Sequence, residues 1–233
     1  MINKDNKYTK MQSDYYENGA KEMAVVNHRQ HDKNFNYWKI LLKPIREDSG
    51  KWHGKRALDF ACGTGRNISN LLRMAHWKNV CGADIAKNNL VEAERILKEE
   101  NVPYHYYELF KNNGVDLDGL EDNFFDFIMS TIAFQHIAVY DIRYNLFKEL
   151  YRVLKTGGTF SFQMGYGEGH GKAEYLENAY DAKGTNTKHD VIVRSADQLK
   201  DDLVKIGFKD FKHVITDAFS DGHPHWIFVT VTK

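Results

Sequence analysis

The most constraining passage in this 233-residue chain is Ala57-Leu58-Asp59-Phe60-Ala61-Cys62-Gly63-Thr64-Gly65-Arg66-Asn67. An apolar run ends in small residues and then in two glycines one residue apart. The backbone can therefore turn sharply and bring peptide N–H groups to a ligand at a helix N-terminus. The same alternation repeats downstream. Short apolar runs predict strands at 56–61, 79–84, 104–108, 125–130 and 158–164, with amphipathic helices at 66–75, 87–100 and 139–154. Strands alternating with helices build crossover units on a mostly parallel sheet, with ligands at the carboxyl ends of the strands.

The flanks are less regular. Residues 1–10 form a polar tail, 14–29 read as a helix capped by Ser13, and 34–43 as a second helix that Pro44 ends. A polar connection follows over 45–55. The Gly- and Tyr-rich stretch 165–194 matches no core element and is expected to cover the carboxyl edge of the sheet. Ser195 and Gly207 bracket a helix over 196–206, and strands at 209–215 and 226–231, joined by Ser220-Asp221-Gly222, suit an antiparallel pair. The expected fold is α/β: a Rossmann-like, doubly wound, mostly parallel seven-stranded sheet with an antiparallel last strand. An N-terminal helical appendage (1–54) precedes the main domain (55–233), which carries the insertion 165–194.

Charge narrows the partners. Lys plus Arg and Asp plus Glu each total 32, a formal net charge of zero, so no basic surplus is available to track a phosphate backbone. No uninterrupted apolar stretch of about 18 residues occurs, and the N-terminus lacks an apolar leader core. Cys62 and Cys81 are too few for a disulfide framework or a four-Cys zinc site. The expected protein is cytoplasmic, off the membrane and without a metal or a stable nucleic-acid partner.

The glycine turn lacks the third glycine of a dinucleotide pattern, since Ile68 stands three residues after Gly65. Asp59 adds a second discriminator: a carboxylate facing the turn repels a pyrophosphate but suits an ammonium. Asp84 ends the second strand, 19 residues after Gly65, where a carboxylate accepts hydrogen bonds from ribose hydroxyls. Together the two carboxylates select a nucleoside bearing a cationic group. S-adenosylmethionine has that combination.

From about residue 55 to the end, the chain resembles the class I S-adenosylmethionine-dependent methyltransferases. Asp59-x-Ala61-Cys62-Gly63-Thr64-Gly65 is similar to the family's first motif, with Ala61 in place of its first glycine. Phe125-Asp126-Phe127-Ile128-Met129-Ser130, followed by Phe134-Gln135-His136-Ile137, resembles the fourth strand and its active-site exit. Leu150-Tyr151-Arg152-Val153-Leu154-Lys155-Thr156-Gly157-Gly158 resembles the helix and turn that come next. The resemblance implies a cofactor site formed by Asp59, Ala61, Gly63, Gly65, Asn67, Asp84, Ile85, Asn113, Gly114 and Ser130. In it Ile85 packs on adenine, and Asn113 and Gly114 meet the adenine edge.

Methyl transfer to oxygen usually needs removal of the acceptor proton, most often by His. His136, just beyond the fourth strand, is the candidate catalytic residue. Tyr16, Gln135, Tyr166 and His170 are candidate acceptor contacts, on the appendage, the fourth-strand exit and the insertion. The family's Pro-Pro-aromatic pattern for methylating base or glutamine amino groups is absent, since Ser130-Thr131-Ile132-Ala133 stands there. Neither Cys is placed as a nucleophile. The expected reaction is O- or N-methylation of a sugar or natural-product-like small molecule. The alternatives are a tRNA or protein acceptor, or a protein that binds the cofactor without turnover.

Overall fold

The computed structural model describes residues 2–29, 38–167, 173–182, 190–219 and 223–233, with side chains omitted for 23–29 and 38. The strands are β1 (Arg56–Phe60), β2 (Asn79–Asp84), β3 (Tyr107–Lys111), β4 (Phe125–Ser130), β5 (Leu154–Tyr166), β6 (Ala173–Glu174), β7 (Val191–Val193), β8 (Lys209–Asp217) and β9 (His225–Thr232). The helices are α1 (Lys7–Arg29), α2 (Trp38–Leu41), α3 (Lys43–Glu47), α4 (Arg66–Met74), α5 (Lys87–Glu99), α6 (Tyr140–Val153) and α7 (Ala196–Ile206).

Seven strands lie in the order β3-β2-β1-β4-β5-β9-β8, and β9 alone runs against the rest. This is the expected doubly wound sheet. The insertion adds two short strands that the sequence pattern does not reveal. β9 occupies one edge of β5 from Thr159 to Tyr166, while β4 occupies the other only as far as Phe162. β7 therefore takes over the edge that β4 vacates, pairing Gly165 with Ile192 and Tyr166 with Val193, and β6 pairs with β7 beyond it. A residue just before β7 is thereby set beside the chain that leaves β4.

Alternation along the strands divides the core between the two sheet faces. Leu58, Phe60 and Ile128 pack with Ile142, Leu146 and Phe147 of α6 and Leu199 and Leu203 of α7. Ala57, Val80, Phe127 and Met129 pack on the opposite face with Ile68 and Leu71 of α4, Leu90 and Leu97 of α5, and Leu41, Leu42 and Ile45.

The N-terminal region differs most from expectation. α1 begins at Lys7 because the Asn6 side-chain oxygen accepts the Thr9 N–H at 2.9 Å, a capping bond that Ser13 does not make. Residues 7–10 are helical rather than a tail, and Tyr8 is buried. Pro44 opens α3 instead of ending a helix, since a first-turn proline sacrifices no intrahelical bond. The 45–55 connection is also partly structured: Trp52 is buried between Trp77 and Phe127, its Nε1–H donating to the Pro44 carbonyl at 3.2 Å. β3 starts at Tyr107 because Tyr104–Tyr106 first makes a 3₁₀ turn after Pro103. The proposed Ser220-Asp221-Gly222 turn lies outside the described residues.

Tyr8 joins α1 to the sheet. Its hydroxyl accepts the Ala138 N–H at 2.6 Å and a Gln12 side-chain N–H at 3.1 Å, and donates to the His136 carbonyl at 3.2 Å. Tyr8→Phe keeps the ring but leaves a buried N–H without its acceptor, a loss of about 2 kcal/mol. Thermal denaturation should show a melting temperature lower by roughly 4–8 °C; an unchanged transition would mean that this bond does not anchor the helix.

Candidate functional site

The glycine turn forms at the carboxyl end of β1. Gly65 precedes α4 at φ 84°, and a Cβ there would meet the Ala93 Cβ of α5 at 3.0 Å, so this position needs glycine for both conformation and space. Ala61 holds a left-handed φ of 56°, so the turn survives the replacement of the usual glycine at some conformational cost.

The two carboxylates beside the turn have opposite surroundings. Asp84 accepts three protein donors: Gly63 N–H at 2.8 Å on one oxygen, and Ala86 N–H at 2.9 Å with the Asn89 amide at 3.1 Å on the other. A carboxylate offers about four acceptor sites, so one remains. Burial raises the Asp84 pKa, opposed by those three bonds. Asp59 is equally buried, yet neither of its oxygens has a hydrogen-bond partner. Burial pushes it up to about 8; the charge of Arg66 lowers it and Asp84 raises it further. An unsatisfied buried carboxylate costs free energy, and the ammonium of an amino-acid-bearing nucleoside is a partner of the right chemistry.

A cleft of about 710 Å³, its solvent-open mouth included, lies above this end of the sheet. Among the sequence-predicted residues, Tyr16, Ala61, Asp84, Ile85, Gly114 and His136 line it. Gly63 and Gly65 shape the turn behind it. Asn67 instead donates to the Thr131 hydroxyl at 3.1 Å. Asn113 is occupied by its own turn, its side-chain oxygen accepting the Val115 and Asp116 N–H groups at 2.8 and 2.9 Å. Its neighbour Asn112 lines the cleft instead.

The remaining predicted positions lie off the wall. The Ser130 hydroxyl is fully buried without a hydrogen-bond partner. Gln135 is buried against Gln163, which donates to it at 2.7 Å, and Tyr166 packs at the end of β5 against the core. His170 falls outside the described residues.

Three wall residues come from the first turns of α1: Tyr8 and Thr9, which the sequence reading assigned to a tail, and Gln12. α1 also reaches the start of α5: the Glu17 carboxylate accepts the Lys87 and Asn88 N–H groups at 2.6 and 2.7 Å. Those are first-turn donors with no intrahelical partner, so a side chain from another helix caps α5. His136, which also lines the cleft, sits in the 3₁₀ turn Phe134–His136 after β4, its Nδ1 2.7 Å from an Asp190 oxygen. Asp190, which the sequence reading missed, is the residue before β7. Among the described residues, no lysine or arginine lines the cleft, and no group of three or more metal-ligating side chains is gathered anywhere. Nor is any helix among them long and apolar enough to cross a membrane.

With this geometry established, the similarities to known proteins become informative. Residues 58–162 match the family described as "Methyltransferase domain". A demethylmenaquinone methyltransferase of Staphylococcus aureus is 32% identical over 127 residues, 54% of this chain and 49% of that protein. The aligned part thus spans about half the length of such relatives. The fold is similar to Haemonchus contortus phosphoethanolamine N-methyltransferase 2 in complex with phosphomonomethylethanolamine and S-adenosylhomocysteine (TM-score 0.68, 18% identity, 96% of this chain and 60% of that one). It is also similar to the [4+2]-cyclase SpnF (TM-score 0.63, 18% identity, 84% and 80%). Residues 58–162 thus match a methyltransferase domain, carried on the sheet order of a methyltransferase-like fold.

Proposed function

We propose that this protein methylates an oxygen or nitrogen of a small-molecule acceptor, using S-adenosylmethionine. The observation that carries the reading is a cleft lined by both Asp84 and His136, with an unsatisfied carboxylate, Asp59, buried at the adjacent strand end. The cofactor supplies a methyl group on a sulfonium, which needs no further activation. Asp59 would hold its ammonium, the free acceptor site of Asp84 a ribose hydroxyl, and Ile85 and Gly114 the adenine. α1 covers the cleft and excludes water, and His136 takes the acceptor's proton. The absence of a lining cation among the described residues favours an acceptor without a phosphate, such as a sugar or natural-product-like hydroxyl compound.

Action away from nucleic acid agrees with the zero net charge. Residues 1–54 are read as the lid and 165–194 as the acceptor-facing insertion. Incubating the protein with methyl-labelled S-adenosylmethionine and a fractionated cell extract tests the reading. Label should enter the small-molecule fraction, and His136→Ala should lower that transfer by 10²–10⁴-fold, of the order of a general base's contribution, while S-adenosylhomocysteine still binds. Label in tRNA or protein would replace the proposed acceptor class. Binding without any transfer would leave a cofactor-holding protein.

A further inference from the structure

We propose that Asp190, contributed by the insertion, is the positioning residue that sets the tautomer of His136 and so makes its Nε2 the proton acceptor of the site. The inference rests on the reading of His136 given above. Asp190 is almost fully buried, whereas the His136 side chain is 19% exposed and lines the cleft. An ionised carboxylate only accepts hydrogen bonds, so at 2.7 Å the proton between them belongs to Nδ1. Nε2 then keeps its lone pair.

The ring's backbone is held as well. The His136 N–H donates to the Ala133 carbonyl at 2.8 Å, and its carbonyl accepts from Tyr8. Topology explains why a residue 54 positions away can serve. Because β7 follows β4 along the same edge of β5, the residue entering β7 meets the turn leaving β4. The insertion thus supplies part of the proton-transfer apparatus in addition to covering the sheet.

The balanced step assigns each group one task. The acceptor O–H breaks as its proton moves to Nε2; the oxygen's electron pair forms the new C–O bond, and the S–C electron pair stays on sulfur. The resulting imidazolium keeps its Nδ1–H on Asp190, whose charge compensates it. Among the described residues, two other ionisable groups stand near this pair. Tyr8 of α1 is pushed up to about 12 by burial and stays neutral, and Arg143 of α6 donates to the Ile137 carbonyl. Asp190 is therefore the anion of the set.

Imidazole ¹⁵N NMR of the full chain tests this without any acceptor, the His136 signals being assigned by their loss in His136→Gln. The wild type should show Nδ1 protonated and Nε2 bare above the ring's titration. Asp190→Asn should give mixed tautomers, since an amide can either accept from Nδ1 or donate to it. Asp190→Glu, which keeps a carboxylate, should restore the wild-type tautomer. S-adenosylhomocysteine affinity should change less than threefold in Asp190→Asn, because Asp190 is not in the cleft wall.

A wild-type ring carrying its proton on Nε2 would overturn the proposal. If Asp190→Asn fails to fold, the wild-type tautomer still decides. Failure of the wild type to bind S-adenosylhomocysteine would instead overturn the functional reading, leaving the tautomer result standing.

Discussion

Asp84→Ala is expected to remove cofactor binding and to lower stability by about 3–5 kcal/mol, because three buried donors lose their acceptor at once at ~1–3 kcal/mol each before relaxation. The donors are the Gly63 and Ala86 N–H groups and the Asn89 amide. They belong respectively to the glycine turn, the start of the α5 connection and α5 itself, so the carboxylate clamps three segments of the site. For a chain of this size the melting temperature should fall by about 10 °C. Saturating S-adenosylhomocysteine should not recover it, whereas it should raise that of the wild type. A variant that melts like the wild type would show that Asp84 is not the clamp described here.

Phe134→Ala is expected to cost a similar amount through packing alone. Phe134 is fully buried and stacks on Phe147 at 4.4 Å between ring centroids, with Phe60 at 5.5 Å and Phe162 at 5.6 Å. Truncating such a ring leaves a cavity and destabilises by ~3–5 kcal/mol, again near 10 °C. Phe134 lies two residues before His136, in the same short turn. Chemical denaturation should show the loss, and Phe134→Leu, which keeps most of the volume, should recover over half of it. A loss below 1 kcal/mol for the alanine variant would contradict the aromatic cluster as the support of that turn.

How much of this was legible in the sequence depends on how far each contact reaches along the chain. β2, β4 and α7 begin and end where periodicity and caps predict, at Asn79–Asp84, Phe125–Ser130 and Ala196–Ile206, because apolar runs and cap chemistry are local. The glycine turn and its carboxylates were readable for the same reason. The role of Tyr8 was not: a tyrosine among lysines and asparagines resembles an exposed tail until the buried Ala138 N–H is known to need an acceptor.

Asp190 was hidden similarly, since only the handover from β4 to β7 along β5 brings it to His136. Asn113 shows the converse. Asn-Gly chemistry suits a turn as readily as a ligand, and in the structure the side chain caps that turn while Asn112 lines the cleft. β6 and β7, at two and three residues, are too short to carry a period.

The central claim is that the two buried carboxylates await a cationic nucleoside. Its sign in pH follows from Asp59. Because its pKa in the empty protein is raised to about 8 from 3.8, its contribution to stability is fully present below pH 3.8 and is lost as pH rises through 8. An ammonium ligand pairs with the ionised form. Affinity should therefore increase with pH up to about 8, by at most tenfold per unit, and then level off.

Calorimetric titration of the full chain with S-adenosylhomocysteine at pH 7, in two buffers of different ionisation enthalpy, measures this directly. The account predicts one-to-one binding with release of close to one proton, abolished in Asp59→Asn. The absence of binding, or binding that takes up or exchanges no proton, would contradict it.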